Sequence, residues 1–412
     1  MNRRQFVQEV VTFPFVARST VLGANDRINI GFVGLGGRGK YLIGKEDFGA
    51  NRIVAIADCW ASRVEEAAAL QPPGVTWTKY PDYRRMFEKE KLDAVFIETT
   101  THARALIAIH AMQAGFDVYA EKPVCLTIEE GRTLVKAARY HRRVVQAGTQ
   151  QRSMPINVYA SKLVAHGKLG KIQKVIVCNF LAPEHWKPLP EQTLPEGLDW
   201  DQWCNQAELR PYHTEMHKGW AKWWDYDGGG QSWGVSGWGT HALDQVQDAL
   251  GTSLTGPIEV WQDEAGQDKH VQMRYANGTV ISLEQPIIKD HQQFGAIFVG
   301  SKGTMQIVRG DYKTDIPSLR KGAPEITKEG PGECISHLNN FFDCIKSRKK
   351  PNADVEIAHR STTVCSLVNI CRDLGRKLKW NPKAERFEND EVANGLLSRP
   401  RRKGFELPSI SG

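Results

Sequence analysis

A glycine-rich segment near the start of the chain has the spacing of a nucleotide-binding loop. Gly34, Gly36 and Gly39 form a G-x-G-x-x-G motif directly after the apolar run Ile28 to Val33. In such a loop the first glycine permits a tight turn, the second lets the backbone approach a pyrophosphate, and the third allows close helix packing. The N-terminus of the following helix then binds the phosphates through its N–H groups and its dipole.

An acidic residue follows at the separation that a dinucleotide site requires. Asp58 ends the next apolar run, about 20 residues after the glycines, where a carboxylate accepts hydrogen bonds from ribose hydroxyls. A glycine-rich turn also occurs without a ligand, but Asp58 favours NAD(H) binding, with Gly37 and Arg38 completing the loop. The carboxylate would repel the 2′-phosphate of NADP(H). Arg38 and Arg63 could offset that repulsion, so NADP(H) stays open as an alternative cofactor.

Polar side chains also end two later apolar runs. Thr99 and His102 follow the run that ends at Glu98, and Glu121 and Lys122 follow Val118 to Ala120. Ligands of parallel sheets bind at the carboxyl ends of the strands. We therefore predict that Thr99, His102, Glu121 and Lys122 contact the cofactor.

The elements that must position these residues alternate between short β-branched runs and amphipathic segments. The predicted strands are Ile28 to Val33, Arg52 to Ala57, Asp93 to Glu98, Asp117 to Tyr119 and Val144 to Gln146. Helices are predicted near Tyr41 and over Arg63 to Leu70, Tyr83 to Lys89, Ala103 to Ala114 and Ile128 to Tyr140. Alternating strands and helices indicate an α/β fold with a doubly wound parallel sheet of the Rossmann type.

The pattern changes after Gly148. A helix near Pro155 to Ala165 leads to a strand over Ile172 to Leu181 and then to a stretch rich in Trp and Pro, Glu184 to Ser236. Further strands are predicted over Ile258 to Gln262, His270 to Tyr275, Thr279 to Glu284, Gly295 to Gly300 and Thr304 to Val308, with helices over Cys334 to Lys346 and Ile357 to Leu374. These runs predict an α+β domain with a large, mostly antiparallel open sheet.

Four segments follow from this division. They are a possible export signal over 1–26, a nucleotide-binding domain over 27–148, a substrate-binding and oligomerisation domain over 149–390, and a C-terminal tail over 391–412.

Composition excludes several classes of protein. The net charge of +7 is modest for 412 residues, and we read the basic clusters Lys346 to Lys350 and Arg399 to Lys403 as solvated rather than as a nucleic-acid surface. No apolar run is long enough to predict membrane insertion. The eight cysteines form no CxxC pair, so neither a zinc site nor a disulfide framework is predicted.

The N-terminus has features of a twin-arginine export signal. Arg3 and Arg4 precede a short apolar stretch, Val10 to Ala17, and the small residues that end at Ala24. Periplasmic export is therefore an expectation, with an ordinary basic N-terminus and a cytoplasmic location as the alternative. Glu9 and Pro14 weaken the apolar stretch.

An ordered set of motifs resembles the Gfo/Idh/MocA family of sugar and polyol oxidoreductases. Besides the glycine motif, the set comprises Glu121-Lys122-Pro123, Gly148 to Arg152, Gly228 to Gly230 and Trp238 to Asp244. The resemblance covers nearly the whole chain, and the order of the motifs is more specific than any single one.

The resemblance implies roles for two residues. Lys122 would reach the substrate hydroxyl beside the nicotinamide, and His241 would act in acid/base chemistry. Oxidising an alcohol requires a base for the hydroxyl proton while hydride leaves for the nicotinamide, and histidine titrates near neutral pH. Taken alone, His241 could be a core histidine and Lys122 a surface cation.

One position departs from the family pattern. Members often carry an aspartate four residues before the histidine, where this chain has Gly237. Asp244 follows His241 by three residues, and we expect it to orient the imidazole instead. Lys122, His241 and Asp244 are therefore the predicted catalytic residues.

Tryptophans crowd the second domain and suggest a carbohydrate pocket. Indole faces stack on the C–H face of a sugar while polar groups bind its hydroxyls. We predict substrate contacts from Trp238, Trp224, Asp225 and Arg152, although these tryptophans could instead only pack the segment on the domain. His213 and His217 have helical i, i+4 spacing, but no companion ligand has a recognisable spacing, so no metal is predicted.

Three functions stay open. The first is an NAD(P)-dependent oxidoreductase acting on a secondary hydroxyl of a sugar, glycoside or polyol. The second is an NAD-dependent glycosidase that uses transient oxidation and elimination; relatives of that kind carry a tyrosine where this chain has Trp238. The third is a cofactor-binding protein without turnover. We also expect a homo-oligomer, a dimer or tetramer, because one face of the antiparallel sheet would otherwise be exposed.

Overall fold

The first part of the chain forms a six-stranded parallel sheet with helices on both faces. The computed structural model describes residues 27–227, 234–263, 269–285, 294–326 and 335–410. The strands are β1 (Asn29–Val33), β2 (Arg52–Ala57), β3 (Thr78–Tyr80), β4 (Ala94–Ile97), β5 (Asp117–Ala120) and β6 (Val145–Ala147). The helices are α1 (Gly37–Lys45), α2 (Ala61–Ala68), α3 (Tyr83–Lys89), α4 (Thr101–Gln113) and α5 (Ile128–Tyr140).

The strand order creates the crevice in which the site lies. The order is β3-β2-β1-β4-β5-β6, and every pairing is parallel. The order reverses between β1 and β4, and such a switch point opens a crevice at the carboxyl ends of the strands. Strands β4 and β5 are buried along their whole length, as expected for strands covered by helices on both faces.

A nine-stranded sheet forms the second part. Its strands are β7 (Ile172–Cys178), β8 (Glu259–Gln262), β9 (Val271–Arg274), β10 (Val280–Gln285), β11 (Ala296–Gly300), β12 (Thr304–Val308), β13 (Asp311–Thr314), β14 (Leu378–Asn381) and β15 (Arg386–Phe387). The order is β13-β12-β11-β7-β10-β9-β8-β14-β15. Among the described strands of this second sheet, only β7 and β10 pair in parallel, so the sheet is mostly antiparallel.

Helices cover one face of this sheet. They include α6 (Pro155–Ala165), α9 (Trp238–Ala249) and α11 (Val355–Leu374), and the remaining helices of the second part are α7 (Trp200–Cys204), α8 (Thr214–His217), α10 (Ile335–Ser347) and α12 (Glu391–Gly395). Alternate residues of β9 and β12 are buried, because successive side chains of a strand point to opposite faces. Inward residues such as Met273 and Ile307 join the helices in one apolar core.

The Trp-rich segment forms a small core of its own against the nucleotide-binding sheet. Trp200 and Trp203 stack at 4.6 Å and pack with Trp223 and Tyr226. The segment binds the turn after β2 through backbone hydrogen bonds, among them Asp199 N to Cys59 O at 2.8 Å. It therefore forms a wall over the nucleotide-binding domain.

Both sheets and their classes agree with the sequence prediction, which missed the short strands β3, β13, β14 and β15. The prediction that the cluster Arg399 to Lys403 is solvated is wrong for all three of its arginines. Arg399 lies 4.4 Å from the ring of Trp224, Arg401 pairs with buried Glu130, and Arg402 binds Asp201. These partners are distant in sequence, so no local pattern reveals them.

Some predicted features lie outside the described residues. They are the export signal with Arg3 and Arg4 and the Gly228 to Gly230 run. Within the described ranges, no helix is both long and apolar enough to cross a bilayer.

Candidate active site

The glycine loop is shaped to admit a ligand at the end of β1. Gly34 has a φ of +91°, and a Cβ there would lie 2.6 Å from Thr99 N. A Cβ on Gly39 would lie 2.2 Å from Gly34 O, so this glycine is required for α1 to pack against the turn. Gly36 is the N-cap of α1 and provides no side-chain cap, while Gly37 has open space around its Cβ position. The loop thus presents backbone N–H groups of the kind that bind phosphate.

Asp58 lies at the carboxyl end of β2 and fixes the glycine loop. Its carboxylate accepts from Leu35 N at 2.7 Å and from Trp60 N at 2.9 Å. Burial raises the pKa of Asp58, although these donors and Arg63 oppose the shift. Asp58, Cys59 and Arg63 all line the cleft, so the carboxylate is positioned to meet a ribose.

Two buried glutamates lie side by side at the ends of β4 and β5. Glu121 accepts from Arg38 Nε at 2.7 Å. Neither carboxylate oxygen of Glu98 has a hydrogen-bond partner among the described residues. Burial, followed by the charge of Glu121, raises the pKa of Glu98 to about 8. Burial also raises the pKa of Glu121, but Arg38, Lys122 and Arg104 outweigh it and the net shift is downward.

Lys122 connects the cofactor domain to the start of α9. Its Nζ donates to Gly237 O at 3.2 Å. Burial lowers the pKa of Lys122 against the opposing charges of Glu121 and Asp227. A lysine with a lowered pKa releases and accepts a proton more readily than a solvated one.

His241 lies on the first turn of α9 and faces the same cleft. Arg309 Nη2 lies 3.1 Å from its Nδ1 and 3.3 Å from its Nε2, and Phe294 packs against the ring edge-on at 5.5 Å. Burial first, then the charges of Arg309 and Lys122, lower the pKa of His241 well below its usual range. The imidazole is therefore neutral at pH 7.

Asp244 does not orient His241, contrary to the prediction. Both of its oxygens accept from Arg152 Nε, at 2.9 and 2.8 Å, and one accepts from Ser361 at 2.6 Å. Arg152, predicted to contact the substrate, also pairs with Asp248 at 3.0 Å and is not among the residues that line the cleft. Residues three apart on a helix share a face, which was the basis of the prediction. In the structure Arg152 binds the Asp244 carboxylate instead and connects the domain junction to α9.

Three further predicted contacts lie away from the cleft. Trp224 packs between Arg399 and His185, and Asp225 pairs with Arg210 at 2.8 Å. His102 is fully enclosed: its Nε2 lies 2.8 Å from Trp203 O, and burial lowers its pKa to about 4. Trp224 thus packs in the core of the second part, Asp225 is held by an ion pair, and His102 packs against the Trp-rich segment.

Except for Gly39, which is buried in α1, the other predicted residues line one cleft of about 580 Å³. From the cofactor domain it is lined by Gly34, Gly36, Gly37, Arg38, Asp58, Glu98, Thr99, Glu121 and Lys122. From the second part it is lined by Gln202, Trp203, Asn205, His217, Lys218, Trp220, Trp238, His241, Phe294 and Arg309. Lys122, His241 and Trp238, three of the residues predicted from the sequence, all line this cleft.

Several lining residues carried no recognisable signal in the sequence. Arg309 lies in the turn between β12 and β13, and Lys218 follows the short helix α8. Glu98 could have been singled out, because a carboxylate at the end of a fully apolar strand has to be buried or to face a ligand.

His213 and His217 each form a hydrogen bond with a residue of their own segment. His213 Nδ1 accepts from Glu215 N at 3.1 Å, and His217 Nδ1 lies 2.8 Å from the Tyr212 hydroxyl. Among the residues that the structure describes, no group of three or more His, Cys, Asp or Glu could hold a metal ion.

The nucleotide cradle, its acidic residue at the end of β2 and the polar groups beside it define an NAD-binding oxidoreductase of the Rossmann class. A model of an oxidoreductase family with an NAD-binding Rossmann fold matches residues 28–149, and one of the family's C-terminal alpha/beta domain matches residues 155–407. The chain belongs to the Gfo/Idh/MocA oxidoreductase family.

The matches to curated relatives cover about a third of the chain or less. Inositol 2-dehydrogenase from Salmonella typhimurium is 25% identical over 147 residues, which is 35% of this chain and 42% of the relative. Glycosyl hydrolase family 109 protein 1 from Akkermansia muciniphila is 33% identical over 115 residues, 26% of this chain and 23% of the relative. The matched segments thus span less than half the length of these relatives.

Solved structures share the fold over most of the chain. The WlbA dehydrogenase from Bordetella pertussis, in complex with NADH and UDP-GlcNAcA, has a TM-score of 0.61 at 18% identity, covering 86% of this chain and 99% of that one. Levoglucosan dehydrogenase in complex with NADH and L-sorbose gives a TM-score of 0.61 at 17% identity, with coverage of 86% and 99%.

Proposed function

We propose that the protein is an NAD(H)-dependent dehydrogenase acting on a secondary hydroxyl of a sugar, glycoside or polyol. The observation that carries this proposal is that Lys122 and His241, from different domains, line the same cleft as the glycine loop. The family membership and the names of the relatives, several of them sugar or inositol dehydrogenases, support it.

The residues present fit a dinucleotide. The Cβ positions of Gly34 and Gly39 are filled by neighbouring backbone, and Asp58 lies where a ribose would pass. When bound, NAD(H) supplies the hydride acceptor or donor. Asp58 supports a preference for NAD(H) over NADP(H) because a 2′-phosphate would meet its carboxylate, while the charge of Arg63, which acts on Asp58 in the same cleft, reduces that preference.

Residues of the chain itself would accept the proton of the substrate hydroxyl. Lys122 is held by Gly237 O and His241 by the start of α9, so a hydroxyl between them is aligned by both walls of the cleft. The neutral imidazole can accept the hydroxyl proton, and the Lys122 ammonium can polarise the same oxygen. Trp238 and Phe294 provide apolar surface beside His241 for the carbon face of the sugar.

A glycosidase that retains the nucleotide is the second candidate, favoured by the match to a glycosyl hydrolase family 109 protein. Both candidates are tested by incubating purified protein and NAD with a panel of sugars and aryl glycosides, following reduced nicotinamide and released products in parallel. Net reduction of NAD with an oxidised sugar supports the dehydrogenase. Bond cleavage without net reduction supports the glycosidase, and neither activity on any compound contradicts both.

A further inference from the structure

Among the residues that the structure describes, Arg309 and Lys122 bring positive charge to the part of the cleft around His241. Arg309 reaches it from the turn between β12 and β13, with its guanidinium carbon 4.6 Å from the ring centre of Phe294. Lys122 reaches it from the end of β5. Both line the cleft together with His241, so a substrate held between Lys122 and His241 also lies within reach of Arg309.

Two described carboxylates near this part of the cleft, Glu121 and Asp227, have partners on the cofactor side. Glu121 accepts from Arg38 at 2.7 Å and from the backbone N of Lys122 at 3.0 Å. Asp227 accepts from the Thr101 hydroxyl. Arg309 itself donates toward the His241 ring and lies 3.4 Å from Gln151 Oε1.

This arrangement has a cost for catalysis when the substrate is uncharged. A general base works best when its pKa is near the working pH, and Arg309 and Lys122 add to burial in lowering the pKa of His241. An anionic group beside Arg309 would offset one of these charges and return the imidazole toward its ordinary range. An uncharged sugar cannot do so.

We propose that the substrate is a sugar acid, a uronic or aldonic acid or its glycoside, whose carboxylate is bound by Arg309 beside His241. A planar guanidinium matches a carboxylate with two parallel hydrogen bonds, and stacking on Phe294 holds the plane of the guanidinium in place. The proposal rests on the proposed dehydrogenase function and assigns its substrate class and a specificity-determining residue.

The test compares matched pairs of substrates on the NAD-saturated enzyme: methyl glucuronide against methyl glucoside, and galacturonate against galactose. A phosphorylated aldose provides a third arm. The variants are Arg309→Met and Arg309→Lys, with Arg320→Met as the control. Arg320 lies 4.5 Å from the ring centre of Tyr312 on β13 and is not among the residues that line the cleft. Thermal melting and NADH titration check that each variant is folded and binds the nucleotide.

We expect the wild type to prefer the acid of each pair by roughly tenfold or more in kcat/KM, and Arg309→Met to lose most of that preference. Arg309→Lys should retain part of it and Arg320→Met all of it. Equal use of acid and neutral sugar by the wild type overturns the proposal. So does an Arg309→Met variant that loses both activities equally, since Arg309 would then only position His241. A preference for the phosphorylated aldose overturns the assignment of a carboxylate.

Calorimetry with methyl glucuronide on the NADH-loaded protein separates this inference from the proposed function. If no sugar is oxidised but the acid binds the wild type and not Arg309→Met, the dehydrogenase proposal fails and the recognition of a carboxylate stands. Absence of binding to the wild type overturns the recognition as well.

Discussion

At the scale of single residues, burial sets the charge of the groups that line the cleft. Glu98 faces Arg38 from α1, Arg104 from α4, and Glu121 and Tyr119 from β5, and its raised pKa keeps it protonated at neutral pH. A folded-state pKa above the unfolded value means that the folded protein binds the extra proton. The contribution of Glu98 to the free energy of unfolding is therefore greatest below the pKa of this group in the unfolded chain, and it falls as pH rises toward 8.

Glu98→Gln tests this charge state. Titration of Glu98 should lower the free energy of unfolding of the wild type by up to about 1.4 kcal/mol per pH unit between pH 5 and 8. The amide mimics the protonated acid, so the variant should lack this contribution. Urea unfolding of wild type and variant across that range measures the difference. Parallel pH dependence of the two proteins would show that Glu98 is ionised throughout.

Lys122→Met and His241→Ala should separate turnover from nucleotide binding. Removing a positioned acid or base typically costs about 10²- to 10⁴-fold in rate, whereas the nucleotide is held by the glycine loop. We expect kcat with the best substrate to fall by that order while the NADH dissociation constant changes little. Near-wild-type turnover in both variants would place the chemistry elsewhere in the cleft.

Asp58→Ala should erode the preference for NAD(H). The change removes the repulsion of a 2′-phosphate but also removes the acceptor for Leu35 N and Trp60 N, so affinity for both nucleotides should fall, and for NADPH less. Fluorescence titration with NADH and NADPH gives the ratio of the two dissociation constants. Asp58→Asn, which retains one acceptor, serves as the matched variant. An unchanged ratio in both variants contradicts the role of the carboxylate.

At the scale of elements, the C-terminal segment after α12 ties the two parts of the chain together. Arg401 pairs with Glu130, whose carboxylate also completes the capping box of α5 with Thr127. Arg402 donates to Asn205 O at 2.8 Å and to Asp201 at 2.7 Å. Since Trp203 and Asn205 line the cleft, this segment holds part of the cleft wall in place.

Arg401→Met should therefore destabilise the protein strongly. Breaking a buried pair leaves the Glu130 charge uncompensated, which costs about 3–5 kcal/mol. Arg386→Met, which breaks the exposed pair with Glu391 at 3.5 Å, should cost less than about 1 kcal/mol. Denaturant unfolding of both variants measures the difference. Similar small losses in both would mean that the C-terminal segment contributes little to stability.

At the scale of the whole molecule, the nine-stranded sheet leaves the face opposite its helices without a covering layer among the described residues. Ile176 on β7 and Ile297 on β11 are direct neighbours on this face and are only partly buried. Apolar side chains on such a face favour association with a second copy of the chain.

We therefore predict a homo-oligomer that buries this face. Ile297→Glu should shift the protein to a monomer in light scattering at micromolar concentration, because an unpaired charge would be buried in the interface. Leu254→Glu, at an apolar residue that is 68% exposed away from the sheet, should leave the mass unchanged. A monomeric wild type contradicts the prediction directly.

The sequence alone determined the nucleotide-binding half of this protein. The glycine spacing, Asp58 at a strand end and the alternation of strands and helices are local patterns, and local patterns follow from the geometry of single elements. The family resemblance extended this reasoning to Lys122 and His241, which the structure places in one cleft. The sequence did not predict the short strands β13 to β15, because a short strand shows little hydrophobic periodicity.

Tertiary structure decided which polar groups meet. Asp244 is near His241 in sequence but binds Arg152, 92 residues away, and Arg309 contacts His241 across 68 residues. Trp224 and Asp225 looked suited to a sugar but belong to the packing of the Trp-rich segment. A buried charge takes whichever partner the folded chain brings within hydrogen-bond distance, because leaving it unpaired costs more than any local preference supplies.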